Sequence, residues 1–262
     1  LANAGGNQVI CYGQSIPLMA SGGTTYLWSA GYATPGITVS PSTTTNYVVT
    51  VIDYNGCSAS DDVLVTVNTN PVANAGPDQT ICFGHPVQFV ASGGLSYYWS
   101  TGAASNSISV IPPTTSSYGV TVYNSDGCTA SDEVIAFVNP TPTANAGADQ
   151  SICQGQSVNI SASGGTSYHW SNGSNSQVIT VSPTMTTEYI VTVTDSTGCT
   201  AAGWVWVNVA TKPNFGTSGD QSICIGDSVN IGVWNWYPDY TWNTGDSTQY
   251  IWVKPQSNTN YT

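Results

Sequence analysis

Seven cysteines at a fixed interval constrain this chain more than any other feature. The leading cysteines, Cys11, Cys82, Cys153 and Cys224, recur every 71 residues, from 11 to 82 to 153 to 224. A second cysteine follows 46 residues behind three of them, at Cys57, Cys128 and Cys199. A constant period of this kind marks tandem copies of one structural unit and overrides any domain count taken from length. The copies are residues 1-70, 71-141 and 142-212, with an incomplete fourth at 213-262. Repeat 4 carries an extra residue before its Trp, so the companion of Cys224 would fall past residue 262. The sequence reads as an excised part of something longer that stops inside a repeat.

Other landmarks keep the same step. Each copy opens on NAGGNQ, NAGPDQ, NAGADQ or the looser GTSGDQ. An SGG turn precedes Trp28, Trp99 and Trp170, and Trp242 occupies the equivalent place in repeat 4. Segments such as NYVVTVID, DYNGC and SDDVLVTVN read as strand, turn and strand by period-2 alternation, so a hairpin closes each complete repeat. VNISASGG and SYHWS predict two core strands separated by a Gly-Gly turn, and VITVSP a short strand ending at proline. Six or seven short strands in about 70 residues predict an all-β two-sheet sandwich. Trp28, Trp99, Trp170 and Trp242 are the expected core aromatics. The joints at Pro71, Pro142 and Pro213 are too short for flexible tethers, which predicts domains meeting end to end as a stiff rod.

A unit this small is close to the size at which one core barely outweighs chain entropy. Pairing within each repeat, with Cys11 to Cys57, Cys82 to Cys128 and Cys153 to Cys199, is the expected remedy and leaves Cys224 unpaired. Such a cross-link would remove roughly 4 kcal/mol of denatured-state entropy per repeat. Regular disulfides imply an oxidising compartment and therefore export. Lys212 and Lys254 are the only basic residues against 14 acids, for a formal charge of -12. Nucleic acid is disfavoured as a partner because phosphate binding needs Lys and Arg to displace counterions. No stretch has the roughly 20 apolar residues of a membrane helix, so membrane insertion is not expected.

The segment ANAGADQSICQGQSVNISASGGTSYHWSNGS, continuing to TTEYIVTVTDSTGCTA, resembles the PKD-like and immunoglobulin-like repeats of giant Bacteroidota surface proteins, including gliding adhesins of the SprB type. The likeness extends over nearly the whole chain. It implies Ig-like sandwich domains in long arrays, export through a type IX route and attachment at the cell surface. Two places depart from the pattern: repeat 4 reads GVWNWYPDYTW in place of the SGG turn, and repeat 3 replaces ASDD or ASDE with AAGW. Both departures add aromatic residues.

Catalytic chemistry finds little to stand on. His85 and His169 are isolated, at positions filled by unrelated residues in the other copies, and acid-base catalysis needs a positioned group with a matched pKa. No G-x-S-x-G, P-loop or H-E-x-x-H occurs, and the cysteine spacing is unlike that of C-x-x-C metal sites. No cofactor is expected. Acids that recur at Asp61, Asp62, Asp78, Asp132, Glu133, Asp149 and Asp220 could gather at domain junctions and attract calcium, or they could simply cap turns. The aromatics Trp204, Trp206, Trp234, Trp236, Tyr237, Tyr240, Tyr250 and Trp252 exceed what one small core holds, which predicts an exposed surface for assembly or for stacking on sugars. Ser196, Ser228 and Ser247 lie in DST and DSV tripeptides similar to a Bacteroidota O-glycosylation motif. The expectation is an extracellular structural repeat region supporting adhesion, with neighbouring repeats and other copies of the chain as partners. The alternative is a carbohydrate-binding module centred on repeat 4.

Overall fold

The computed structural model describes all residues, Leu1–Thr262, and contains strands and turns without a helix. Repeat 1 comprises β1 (Gln8–Cys11), β2 (Ile16–Met19), β3 (Thr25–Trp28), β4 (Gly36–Val39), β5 (Thr45–Ile52) and β6 (Ser58–Asn68). Repeat 2 follows with β7 (Gln79–Cys82), β8 (Val87–Val90), β9 (Ser96–Trp99), β10 (Ser107–Val110), β11 (Ser116–Tyr123) and β12 (Thr129–Asn139). Repeat 3 has β13 (Gln150–Cys153), β14 (Val158–Ser161), β15 (Ser167–Trp170), β16 (Val178–Val181), β17 (Thr187–Thr194) and β18 (Thr200–Ala210). In repeat 4 only β19 (Val229–Gly232) and β20 (Tyr250–Val253) form.

The two longest strands organise each sandwich. β5 and β6 make an antiparallel hairpin running from Thr45 opposite Val65 to Ile52 opposite Ser58. β3 adds antiparallel to β5, and β1 adds parallel to β6, giving the order β1-β6-β5-β3. β2 and β4 pair as a second, two-stranded sheet. Repeats 2 and 3 have the same two sheets. The chain therefore folds as tandem Ig-like sandwiches.

Alternation explains why these segments are strands. Successive side chains point to opposite faces, so Val49, Val51, Val63 and Val65 converge between the sheets on Trp28, Leu18, Ile37 and Val39. Equivalent clusters surround Trp99 and Trp170. Each indole also satisfies its one donor: Nε1 of Trp28, Trp99 and Trp170 donates to the carbonyl oxygens of Thr34, Ser105 and Ser176, at 3.1, 3.0 and 2.9 Å. The SGG turn passes the chain from one sheet to the other. Its first glycine, Gly22, has φ of +105°, and a Cβ there would sit 1.9 Å from the carbonyl oxygen of Leu1. Only glycine fits both demands.

The molecule divides into two compact units, Leu1–Thr141 and Pro142–Thr262. Repeats 1 and 2 make up the first, and repeat 3 with the repeat-4 segment makes up the second. In repeat 4, Trp242 keeps the indole bond, donating to the Thr248 carbonyl oxygen at 2.8 Å. It is half-buried, unlike its three counterparts, and only β19 and β20 form in its repeat.

Pairing of cysteines within a repeat is corrected by the structure. Cys11 is bonded to Cys128 of the next repeat, at a sequence separation of 117. Cys82 and Cys199 are also disulfide-bonded, whereas Cys57, Cys153 and Cys224 are free and exposed. Strand length gives the reason. Cys11 lies beside Asn68 at the end of β6, and Cys57 immediately precedes Ser58 at its start. At about 3.3 Å per residue the two are roughly 35 Å apart, far beyond the reach of a disulfide. The same argument separates Cys82 from Cys128 along β12, and Cys153 from Cys199 along β18.

Candidate functional site

Two turn motifs present the cysteines. Cys11, Cys82 and Cys153 end the first strands of their repeats, and all four leading cysteines open a tight turn. The backbone N–H groups of Gln14, His85, Gln156 and Asp227 donate to the carbonyl oxygens of Cys11, Cys82, Cys153 and Cys224 at 3.0 to 3.1 Å. Gln14 and Gln156 return a side-chain oxygen to the backbone N–H of Cys11 and Cys153, at 2.9 and 3.0 Å. Each hairpin cysteine sits at the tip joining the two long strands. There a single carboxylate or amide oxygen accepts two backbone N–H bonds, Asp53 from Asn55 and Cys57, Asn124 from Asp126 and Cys128, Asp195 from Thr197 and Cys199. Asx turns of this kind let a short polar side chain stand in for backbone.

In the first unit these motifs meet. The Cα atoms of Cys11 and Cys128 are 5.6 Å apart, within the range a disulfide spans without backbone movement. Around the bond, the amide of Asn124 uses its oxygen on the turn and donates Nδ2 to the Thr69 carbonyl oxygen at 2.8 Å. Asn70 donates to the Tyr12 carbonyl oxygen at 3.2 Å, and the Tyr12 N–H to that of Asn68 at 2.9 Å. The hairpin tip of repeat 2 is thus bonded, covalently and by hydrogen bonds, to the pole of repeat 1 and its linker. Cys128 is 1% exposed, while Cys57, on the equivalent tip of repeat 1, is open to solvent.

The acidic residues have structural employment. Asp78 and Asp149 accept the backbone N–H of Ile135 and Trp206 at 2.8 Å, and Asn7 does the same for Leu64 at 3.0 Å. An amide serves there as well as a carboxylate because the position asks for one accepted hydrogen bond. Asp61 and Asp132 accept the N–H of Ala4 and Ala75 at 2.8 Å, tying the opening segment to the closing strand. Repeat 3 has Gly203 in that position, and its Cα lies close to the backbone: an added Cβ would fall 3.2 Å from the Ala144 carbonyl. Asp62 and Glu133 are on the outward face, and Asp220 is exposed. No group of three or more His, Cys, Asp or Glu is arranged to hold a metal ion.

The aromatic residues fall into three places. Trp204 and Trp206 alternate with buried Val205 and Val207 on β18, so both indoles face outward; Trp204 is 65% exposed. They stand opposite Ile190 and Glu188 of β17. Trp204 occupies the position of Asp62 and Glu133 in the earlier repeats, so repeat 3 has exchanged an acid for an indole on its outer face. Trp234 and Trp236, in the loop after β19, are 64% and 76% exposed. Tyr237 and Tyr240 brace that loop: Tyr237 Oη donates to the Asn214 carbonyl oxygen at 2.9 Å, and Tyr240 Oη to that of Asn235 at 3.0 Å. Tyr250 and Trp252 point outward from β20 while Ile251 and Val253 point inward. Alternation made the outward faces legible in the sequence. The loop-bracing role of the tyrosines was not legible, since it depends on a turn particular to repeat 4.

The remaining candidates are dispersed. His85 and His169 are exposed, and Nδ1 of His169 bonds Oδ1 of Asn175 at 2.7 Å. Ser196, Ser228 and Ser247 are exposed. Thr197 donates through Oγ1 to Asp195 at 2.7 Å, and this bond, foremost among several, holds the Asp195 carboxyl below the usual carboxylate range. Shallow surface depressions around Phe83 and Val138 and around Tyr98 and Thr121 include no His, Cys, Asp or Glu.

No known protein family and no curated protein matches the chain. Among solved structures it is similar to an I-band fragment from titin, with 10% identity, 80% of this chain and 98% of that one covered, and a TM-score of 0.37. It is also similar to a calcium-stabilised adhesin with which an Antarctic bacterium binds ice, with 15% identity, 96% and 89% covered, and a TM-score of 0.31. The insect immune protein hemolin gives 12% identity, 80% and 76% covered, and a TM-score of 0.31. At these identities nothing about the chain's activity follows from them.

Proposed function

We propose that this chain is a non-enzymatic structural repeat region of a large secreted cell-surface protein, forming a stalk or extracellular filament that supports adhesion. The observation that carries the reading is the covalent bond from Cys11 in repeat 1 to Cys128 in repeat 2. A bond inside a domain stabilises that domain alone. A bond between consecutive domains ties them together, so that tension along the chain meets a covalent link at the joint as well as the peptide linker. Persistence of such bonds also requires an oxidising, extracytoplasmic compartment. The near absence of basic side chains and the formal charge of -12 fit a spacer that avoids nucleic acid and anionic lipid. The resemblance to Bacteroidota surface repeats adds attachment at a bacterial cell surface and export by a type IX route.

Single-molecule stretching of the chain tests the reading. Under oxidising conditions the segment enclosed by Cys11 and Cys128 should withhold the contour length of the residues between them, and reductant should release it. Full extension of that segment in the absence of reductant would sink the mechanical role of the bond. Negative-stain images should show extended particles; isolated globules would count against a stalk.

A second reading is favoured by one observation, the outward indoles of Trp204, Trp234, Trp236 and Trp252. Exposed indole faces stack on sugar rings, so a carbohydrate ligand would bind here. Binding on a glycan array that disappears in Trp234→Ala would establish it, and a blank array would leave those indoles to packing between chains.

A further inference from the structure

We propose that repeat 4 binds a neutral, extended glycan chain along one face of its two-stranded sheet, on a row formed by the rings of Trp252, Tyr250 and Trp234. This narrows the carbohydrate reading above to one surface and rests on it.

Register puts the three rings in line. Trp252 pairs with Asn230 and Tyr250 with Gly232, so these four residues share a face of the sheet. Alternation carries that face on from Gly232 to Trp234, while Ile251 and Val253 are buried on the other side. Successive rungs of one face are about 7 Å apart, so the row from Trp252 to Trp234 spans roughly 13 Å. Trp252 and Trp234 are 72% and 64% exposed.

Two glycines seat the rings. A Cβ on Gly232 would lie 2.0 Å from Cδ1 of Tyr250, so the phenol ring occupies the space a side chain would fill. A Cβ on Gly216 would lie 3.0 Å from Cδ1 of Trp234, whose Nε1 donates to the Thr217 carbonyl oxygen at 2.7 Å. The indole of Trp234 is thus held in orientation with its one donor satisfied, and its exposed surface is what remains for a ligand. Both seats are peculiar to repeat 4. The complete repeats have Asn3, Asn74 and Asn145 in place of Gly216, with Ser21, Ser92 and Ser163 in place of Trp234. They have Met19, Val90 and Ser161 in place of Gly232, opposite Gly36, Ser107 and Val178 in place of Tyr250. The face is open in those repeats too, where all three serines and Met19 are exposed, so its openness belongs to the sandwich itself.

Chemistry selects the ligand. Aromatic faces stack on the C–H faces of sugar rings, and the exposed amide of Asn230, beside Trp252, can bond the hydroxyls around them. Asp220, Asp227, Asp239 and Asp246 outnumber Lys254 in repeat 4. That balance repels an acidic polysaccharide, and it equally repels a second copy of a chain whose formal charge is -12. A neutral polyhydroxylated chain meets neither penalty. Rings in a row and braced in advance favour a ligand long enough to touch all of them, since little ordering is left to oppose binding.

The test titrates the whole 262-residue chain with cellohexaose, mannohexaose and xylohexaose, and with glucose, mannose and xylose, by calorimetry. At least one hexasaccharide should bind, and its monosaccharide should bind roughly tenfold more weakly or worse. Trp252→Ala should weaken the hexasaccharide by roughly tenfold or more. Gly216→Asn should do the same by displacing the indole of Trp234, although it only restores the residue that the complete repeats carry there. Amide NMR shifts of β19 and β20 away from the substitution report that the sheet persists in both variants. Trp204→Ala, on the four-stranded sheet of repeat 3, should bind as the parent chain does. Binding lost in Trp204→Ala and kept in Trp252→Ala and Gly216→Asn would overturn the row and leave the carbohydrate reading standing. A monosaccharide as tight as its hexasaccharide would overturn the extended ligand. A blank across the hexasaccharides and a glycan array would overturn both the row and the carbohydrate reading, and self-association abolished by Trp252→Ala in sedimentation would then assign the rings to packing between copies.

Discussion

Single residues in this fold act mostly by occupying positions that tolerate few others. Gly93 is the clearest case: its φ is +101°, and a Cβ would lie 1.8 Å from the Val72 carbonyl oxygen. Gly93→Ala therefore adds a backbone clash to a left-handed conformation and should destabilise repeat 2 by at least about 1–2 kcal/mol, read as a lower denaturant midpoint. Asp195 offers a milder probe. The Thr197 hydroxyl bond, foremost among its causes, lowers the carboxyl pKa from the model-peptide value of 3.8. A carboxyl whose folded pKa is depressed contributes stability above its unfolded value and loses it as pH falls through the folded one. The contribution of this carboxylate to the hairpin tip of repeat 3 should accordingly fade only as the pH falls below 3.8, and an NMR titration should place the Asp195 midpoint under that value. Thr197→Ala should move that midpoint upward. A midpoint unchanged by Thr197→Ala would show that the backbone bonds alone hold the carboxylate.

At the scale of elements, the long hairpin and the buried Trp decide stability. Trp99 is fully buried, and Trp99→Ala should cost about 3–5 kcal/mol, enough to unfold a repeat of this size on its own. The opening acids act through strands as well. Since Asp78 and Asp149 each pin the closing strand through one accepted N–H, as Asn7 does, Asp78→Asn should be nearly neutral, while Asp78→Ala should lose about 1 kcal/mol. With these oxygens so engaged, a chelator should leave the melting temperature unmoved, and a clear drop on adding chelator would restore a calcium site. Elements were the most legible level of the sequence, because period-2 valines such as Val49 and Val51 mark strands whatever their partners. Parallel pairing of β1 with β6 was not legible: it joins residues some 57 positions apart, as from Gln8 to Val65, and no local signal announces it. That hidden pairing is why the cysteine spacing misled. It puts Cys11 at the far end of the strand from Cys57 and next to the following repeat. The aromatic surface was half visible, since alternation gives the outward faces of Trp204 and Trp206, whereas Tyr237 and Tyr240 act through a turn particular to repeat 4.

For the whole molecule, the consequence of bonding between repeats and not within them is a change in what counts as the folding unit. A disulfide closed inside one repeat would leave each sandwich to melt independently. The bond from Cys11 to Cys128 instead encloses a loop of 117 residues that contains most of repeat 1 and much of repeat 2. In the chain-entropy model a loop of that length restrains the denatured ensemble by nearly 5 kcal/mol, close to the lower limit of a whole small domain's stability. Because the restraint is shared, unfolding of either repeat leaves the other tethered at its pole, and the Asn124 bond to Thr69 reinforces that junction. The first unit, Leu1–Thr141, should therefore melt as one cooperative transition when oxidised. Cys128→Ser should split it into two transitions at lower temperature, whereas Cys57→Ser, at an exposed and unbonded position, should leave the oxidised profile unchanged. Calorimetry of the three forms checks this directly. If Cys128→Ser melted like the parent chain, the bond would be incidental to stability and its value would lie solely in holding the joint against force.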